Sequence, residues 1–380
     1  MTSHRDNGGP ARMKLGMFLM PISRPDRPLT EAIDWYLDVI RKAEEFGYSE
    51  MWIGEHMTSR WERITSPQQI IARALADTER IVLGTGVEIL YQQHPVTLAL
   101  ALAQLDHMAR GRLLFGFGAG ATLTDYQLYG VDAATSQAMS REALQIILDC
   151  WREGGPKPFI GKYWTVGAVD PQLAYQQADT HGWQITPYSD PEPRIAFAGF
   201  GAKSPSLYTA GAGGYIPMSL NINKQYLAAH WASVQEGGAS TGRGVDRRRW
   251  RHAKEVYVAD TNREARRAVL EGFMARYWNE YAVRSYFAQK PDLLNLFRRP
   301  GDAPTIPVTP EYLIDTGMWF VGDPASVAEQ IREQFRVCGG FGTLLQIGMD
   351  YGDAPDGWLR SMQLLAQDVM PRLQDLAVEP

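Results

Sequence analysis

The sequence predicts an α/β fold, a (β/α)8 TIM barrel with insertions. Three observations carry that expectation. Eight short apolar runs occur along the chain, and through the first four they alternate with helix-periodic segments, the pattern of βα units around a parallel sheet. The 380 residues exceed the roughly 250 of a minimal barrel. The surplus gathers in two stretches, and no shift of composition marks a domain boundary.

The elements follow in order. "MKLGMFLM" (13–20) is an apolar run closed by Pro21 and reads as the first strand. In "TEAIDWYLDVIRKAEEFGY" Thr30 is a plausible N-cap, Ile33, Leu37 and Ile40 recur at helical spacing, and Gly47 is the stop. "EMWIGEH" (50–56) is the second strand, followed by a helix opened by Ser66 and Pro67. "IVLGTGVEIL" (81–90), the helix "PVTLALALAQLDHMA" (95–109) and "RLLFGFGAG" (112–120) continue the alternation. "RIAFAGF", "GGYIPMSL", "HAKEVYVA" and "GTLLQIGM" supply strands five to eight.

The expected organisation is a disordered leader over 1–12, polar and bearing Gly and Pro, and one barrel domain over 13–380. Excursions at about 153–193 and 273–318 are expected as functional lids or mobile loops. With 45% hydrophobic and 21% charged residues the chain is an ordinary globular protein. A net charge of −5 gives no footprint for nucleic acid or an anionic membrane, so a small-molecule partner is expected. Cys150 and Cys338 lie far apart with no CxxC spacing, which suggests neither a disulfide framework nor a metal site and fits a cytoplasmic protein. No signal peptide and no run of ~18 apolar residues is visible.

In a barrel the reacting groups stand where strands end at the C-terminal face. Glu55 and His56 stand there on the second strand. An ordinary alternative is a hydrogen-bonded structural His56 with Glu55 paired to an arginine. The glycines of "GTGVEIL" and "GFGAGA" favour a site, because they leave backbone bare where a flat ligand would press onto the sheet. Gly116, Gly118 and Ala121 also satisfy a loose G-x-G-x-x-A dinucleotide pattern. That reading is set aside, since the run follows the fourth strand and meets a break at Gly130 where a long helix should open.

These segments, with "AKSPSLYTAGAGGYIPMS", resemble the bacterial-luciferase-like flavin monooxygenases, in particular their limonene monooxygenase-like branch. The resemblance runs from Met13 to about Asp260 and more weakly to Met349. It implies a TIM barrel with insertions that uses reduced FMN and O2. The reduced flavin would come from a separate NAD(P)H:flavin reductase and form a C4a-hydroperoxyflavin. The substrate would be small and hydrophobic, terpenoid or alicyclic, undergoing epoxidation, hydroxylation or Baeyer–Villiger insertion. A homodimer is expected.

The resemblance also implies site residues. His56 matches the first histidine of the family's EHH triplet, and Gly86 and Val87 match a dipeptide joined by a cis peptide bond beneath the flavin ring. Gly118 falls where luciferase itself has a cysteine. Ser204 matches the phosphate-binding serine, at a helix start suited to an anion. Glu88, Gly120, Lys203 and Pro205 complete the expected cofactor-binding set. Three departures stand out: Ala119 replaces a phosphate-binding arginine, with Lys203 a candidate substitute; Met57 replaces the second histidine; and Gly118 lacks the thiol. Met20, Trp52, Trp61 and Trp183, with Trp164, are expected to wall a dry pocket, although Trp164 and Trp183 also suit plain loop packing. His56 would hold or transfer a proton, and Glu55 would orient it. A deazaflavin (F420)-dependent dehydrogenase of the same fold and a non-catalytic flavin-binding subunit remain as alternatives, the Gly54-Glu55-His56 ending favouring the monooxygenase.

Overall fold

Each of the eight apolar runs forms a strand in the computed structural model, which describes residues 11–152, 155–168, 183, 185–189, 194–220 and 223–380. They are β1 (Lys14–Leu19), β2 (Glu50–Ile53), β3 (Val82–Thr85), β4 (Leu113–Gly118), β5 (Ile195–Gly199), β6 (Ile216–Leu220), β7 (Arg251–Lys254) and β8 (Thr343–Gly348). Every strand pairs in parallel with its neighbour in sequence, and β8 pairs with β1 from Thr343↔Lys14 to Gly348↔Leu19. The sheet is therefore a closed parallel barrel.

The outer helices begin with α1 (Leu29–Phe46), α2 (Pro67–Ala74), α3 (Pro95–Ala109) and α4 (Ser136–Cys150). Gly47 caps α1 at φ 94°, in the left-handed region that favours glycine. The helix starts at Leu29, so Thr30 lies within its first turn and Pro28 takes the cap position. Ser66 and Pro67 open α2 as expected.

Two runs are split, and each split matters to the site. The third breaks after Thr85 and resumes as Glu88–Ile89, which pairs with Phe117 and Gly118 of β4; a cis peptide bond joins Gly86 to Val87 between the pieces. The seventh leaves the barrel after Lys254, and Val256–Val258 pairs outside it with Phe320–Gly322. The chain between these outer strands contains the second excursion. It carries a short helix, Phe273–Tyr277, continued as a π-helix over Trp278–Tyr286.

The lower end of the barrel is sealed by polar groups paired with one another. Glu50 accepts from Arg251 Nη2 at 2.9 Å and from the Trp52 indole at 2.9 Å. Ala11–Arg12 pairs with Ala377–Val378, so described structure begins inside the stretch expected as a leader, and residues 1–10 lie outside the described residues. Much of the first excursion, including 169–182, also lies outside them. Cys150 and Cys338 are both buried thiols. Among the described residues no helix is long and apolar enough to cross a membrane.

Candidate active site

A cavity of about 410 Å³ opens over the C-terminal ends of the strands. Its wall brings together nine of the residues singled out from the sequence: Met20, Glu55, His56, Gly86, Val87, Gly118, Gly120, Ser204 and Pro205.

The histidine is placed by the arm that follows β2. This arm folds back on itself, with His56 N donating to Ile64 O at 2.9 Å and Arg63 N to Pro21 O at 2.9 Å. The return brings Glu62 over the imidazole, 3.2 Å from Nε2. On the other side the short helix Leu123–Leu128 supplies Asp125, whose Oδ2 lies 3.8 Å from Nδ1, while Thr122 Oγ1 is 3.3 Å from the same nitrogen. Asp125 is itself held by the backbone N–H of Thr58 at 3.0 Å and by the Thr58 hydroxyl. Tyr281 donates its hydroxyl to Glu62 at 2.7 Å from the far side of the cavity.

Burial alone would lower the pKa of His56, but the Glu62 carboxylate and then Asp125 outweigh it, and the net shift is upward. Asp125 moves the other way. Burial opposes its ionisation, yet hydrogen bonds from His56 and Thr58 hold its carboxyl below the usual range. The imidazole thus lies between the carboxyl groups of Glu62 and Asp125, with 30% of its side chain exposed.

Glu55 has a different role from the one expected. Its Oε1 accepts from Ile89 N at 2.8 Å and so ties the end of β2 to the short strand 88–89. Burial first, and then the neighbouring Glu88, push its carboxyl well above the ordinary range. Glu88 is fully enclosed beneath, pushed up by burial to about 7, and does not line the cavity. The partners that orient His56 are Glu62 and Asp125.

The glycines divide into two groups. At Gly118 an added Cβ would lie 2.6 Å from Val87 Cγ2, and at Gly86 it would meet Phe18 and Trp52 at 3.0–3.1 Å, so bare backbone forms the cavity wall there. Gly84 and Gly116 face inward for another reason. Their missing side chains leave room for the Trp52 ring and for Thr85 O, which would lie 2.0 Å from a Cβ on Gly116.

Trp52 is accordingly not a wall of the cavity. It runs down the barrel toward Glu50 and fills its interior. Trp61 stacks on the back of Tyr281 at 5.7 Å and 18°, behind the wall. Trp183 packs over Gly155, and Trp164 donates to Met139 O at 3.2 Å, both away from the cavity. The aromatic wall comes instead from the second excursion, as Tyr277, Tyr281, Tyr286 and Phe287, faced by Phe197 and Phe200.

The opposite end of the cavity is polar. Ser204 caps helix α5 (Pro205–Gly213), and Ser206 and Thr209 line the wall with it. Arg141, on α4, reaches the same cavity. Lys203 is exposed and outside the lining. Among the described residues no cluster of His, Cys, Asp or Glu could hold a metal ion.

Residues 13–340 match the family described as "Luciferase-like monooxygenase". The chain is 29% identical over 377 residues to 3,6-diketocamphane 1,6-monooxygenase of Pseudomonas putida, covering 95% of this chain and 98% of that one. It is 29% identical to limonene 1,2-monooxygenase of Rhodococcus erythropolis, covering 95% and 86%. Among solved structures, the oxygenating constituent of 3,6-diketocamphane monooxygenase from Pseudomonas putida, a type II Baeyer–Villiger monooxygenase in complex with FMN, superposes with a TM-score of 0.87 at 31% identity over 96% of this chain and 99% of that one.

Proposed function

Since the chain belongs to the luciferase-like monooxygenase family, we propose that this oxidoreductase is the oxygenating component of a two-component, FMN-dependent system, acting on a small hydrophobic substrate of terpenoid or alicyclic type. The observation that carries the reading is the layout of one cavity. Ser204 and Ser206 at a helix start, the Arg141 cation and the His56 imidazole all open into the same space, and bare glycine backbone forms part of its wall. A planar group with a phosphate tail fits that layout, because a Cβ at Gly118 would intrude where Val87 borders the wall.

Ser204, the first N–H groups of α5 and Arg141 would hold the FMN phosphate. Gly86, Val87, Gly118 and Gly120 would cradle the ring. Bound as the reduced form, FMN supplies the electrons that let dioxygen oxygenate a substrate. His56 holds a proton at the cavity wall and can deliver it there, and Glu62 and Asp125 keep it charged and aimed. Tyr277, Tyr286 and Phe287 keep water away from the reacting atoms. The FMN-bound relative is described as an oxygenating constituent, which supports a separate reductase as the source of reduced flavin.

The test supplies the protein with enzymatically reduced FMN, isotopically labelled dioxygen and a panel of alicyclic ketones and terpenes. Label entering a product supports the reading. Flavin oxidation that yields only hydrogen peroxide with every compound, or turnover that proceeds without oxygen on a deazaflavin, removes it.

A further inference from the structure

A second histidine lies in the core behind the polar end of the cavity. His230, on helix α6 (Leu227–Ser240), is fully buried, and its Nε2 meets the carbonyl oxygen of Gly201. Its Nδ1 lies 2.9 Å from Ser219 Oγ, and that oxygen accepts from the Trp250 indole N–H at 2.9 Å. A carbonyl oxygen can only accept, so Nε2 carries the proton and Nδ1 must accept from Ser219. The roles then run one way: Trp250 to Ser219 to His230 to Gly201. Burial favours the neutral ring that this order requires.

The chain of donors ends at a mechanically sensitive place. Gly201 stands at φ +116° in the turn between β5 and the Ser204 cap, a conformation glycine adopts readily. The helix that this turn feeds lies flush against α6 through glycines. A Cβ on Gly211 would lie 1.9 Å from Val234 O, and one on Gly237 would lie 2.0 Å from Tyr208 O. The helices are thus locked along their length, while the turn that aims the first N–H groups of α5 is fixed by the His230 bond.

We infer that His230 is a positioning residue for the anion end of the cofactor site, holding the Gly201–Ser204 turn so that Ser204 and the start of α5 meet the FMN phosphate. The inference rests on the FMN reading above. It concerns a residue that touches neither cofactor nor substrate and that acts through the carbonyl of Gly201.

The experiment compares FMN with riboflavin, which carries the same ring without the phosphate, by quenching of flavin fluorescence on the whole protein. His230→Phe fills the space and removes the donor; His230→Gln can still offer an N–H to Gly201. The expected result is an FMN dissociation constant raised about tenfold in His230→Phe, riboflavin binding within about twofold of wild type, and substantial recovery in His230→Gln. Should His230→Phe not fold, Ser219→Ala, which lets the ring turn, is expected to move the FMN to riboflavin ratio in the same direction. Parallel loss of both flavins would mark His230 as a structural residue only and overturn the inference. So would an unchanged ratio. A wild-type protein that binds riboflavin as tightly as FMN would instead overturn the phosphate assignment itself.

Discussion

His56 Nε2 lies 3.2 Å from a Glu62 carboxylate oxygen that also accepts the Tyr281 hydroxyl at 2.7 Å. One acid thus holds the His56 imidazole from the barrel and the aromatic wall from the excursion. The folded protein raises the pKa of His56 above its ordinary 6.5, so this pair stabilises the fold fully below that value and loses its contribution as pH rises through the elevated pKa. Glu62→Gln removes the largest single influence that raises the His56 pKa, and the imidazolium then disappears at lower pH. The alkaline limb of product formation is expected to move toward acid, alongside the His56 titration followed by NMR. A limb that stays in place would show that another group controls it.

His56→Ala is expected to cut product per flavin oxidised by roughly 10²–10⁴, the range for loss of a positioned acid. FMN affinity should stay within about threefold, since the ring site proposed above is built from glycine backbone on the other strands. Glu62 keeps Tyr281 and Asp125 keeps Thr58, so neither carboxylate is left bare. Product yield and calorimetric FMN binding, measured on one preparation, separate the outcomes.

Arg141→Met should weaken FMN by about tenfold and leave riboflavin nearly unchanged, the signature of a lost phosphate contact. Lys203→Met should alter neither, because Lys203 lies outside the cavity lining. The reverse pattern would restore Lys203 as the anchor.

Gly116→Ala is expected to destabilise the barrel by about 3 kcal/mol or to prevent folding, because the new methyl would meet the backbone oxygen of Thr85 at 2.0 Å. Gly130→Ala, with nothing within 4 Å, carries only the strain of φ +64° and should cost about 1 kcal/mol. Denaturant unfolding of the two variants measures the difference.

The eight strands were legible because each is a short apolar run bounded by turn residues, a signal contained within a few positions. The Glu55-His56 pair was legible for the same reason, since its place at a strand end follows from the run before it. The partners of His56 were not. Glu62 reaches it only because the arm doubles back between His56 and Ile64, and Asp125 arrives from a short helix after β4. Trp52 misled because a tryptophan at a strand end can turn up into a cavity or down into a barrel, and the glycines at 84 and 116 that decide the matter lie on other strands. Arg141 sits on a helix where one arginine looks like any other. Tyr277, Tyr281 and Tyr286 lie in an excursion expected only as a lid or mobile loop, and a π-helix sets the face they share, which no periodicity count anticipates.

Closure of the barrel by the pairing of β8 with β1 has a consequence for the cell that makes it. During synthesis one edge of β1 waits for a partner that emerges roughly 330 residues later. At ribosomal speeds that is an interval of about 15–65 s. Throughout it an apolar strand, buried on nearly every residue in the finished protein, offers an open row of amide and carbonyl groups to any neighbouring chain. The nascent polypeptide stays exposed to sticking until β8 has emerged, and yield on overexpression should depend on how well chaperones shield that interval.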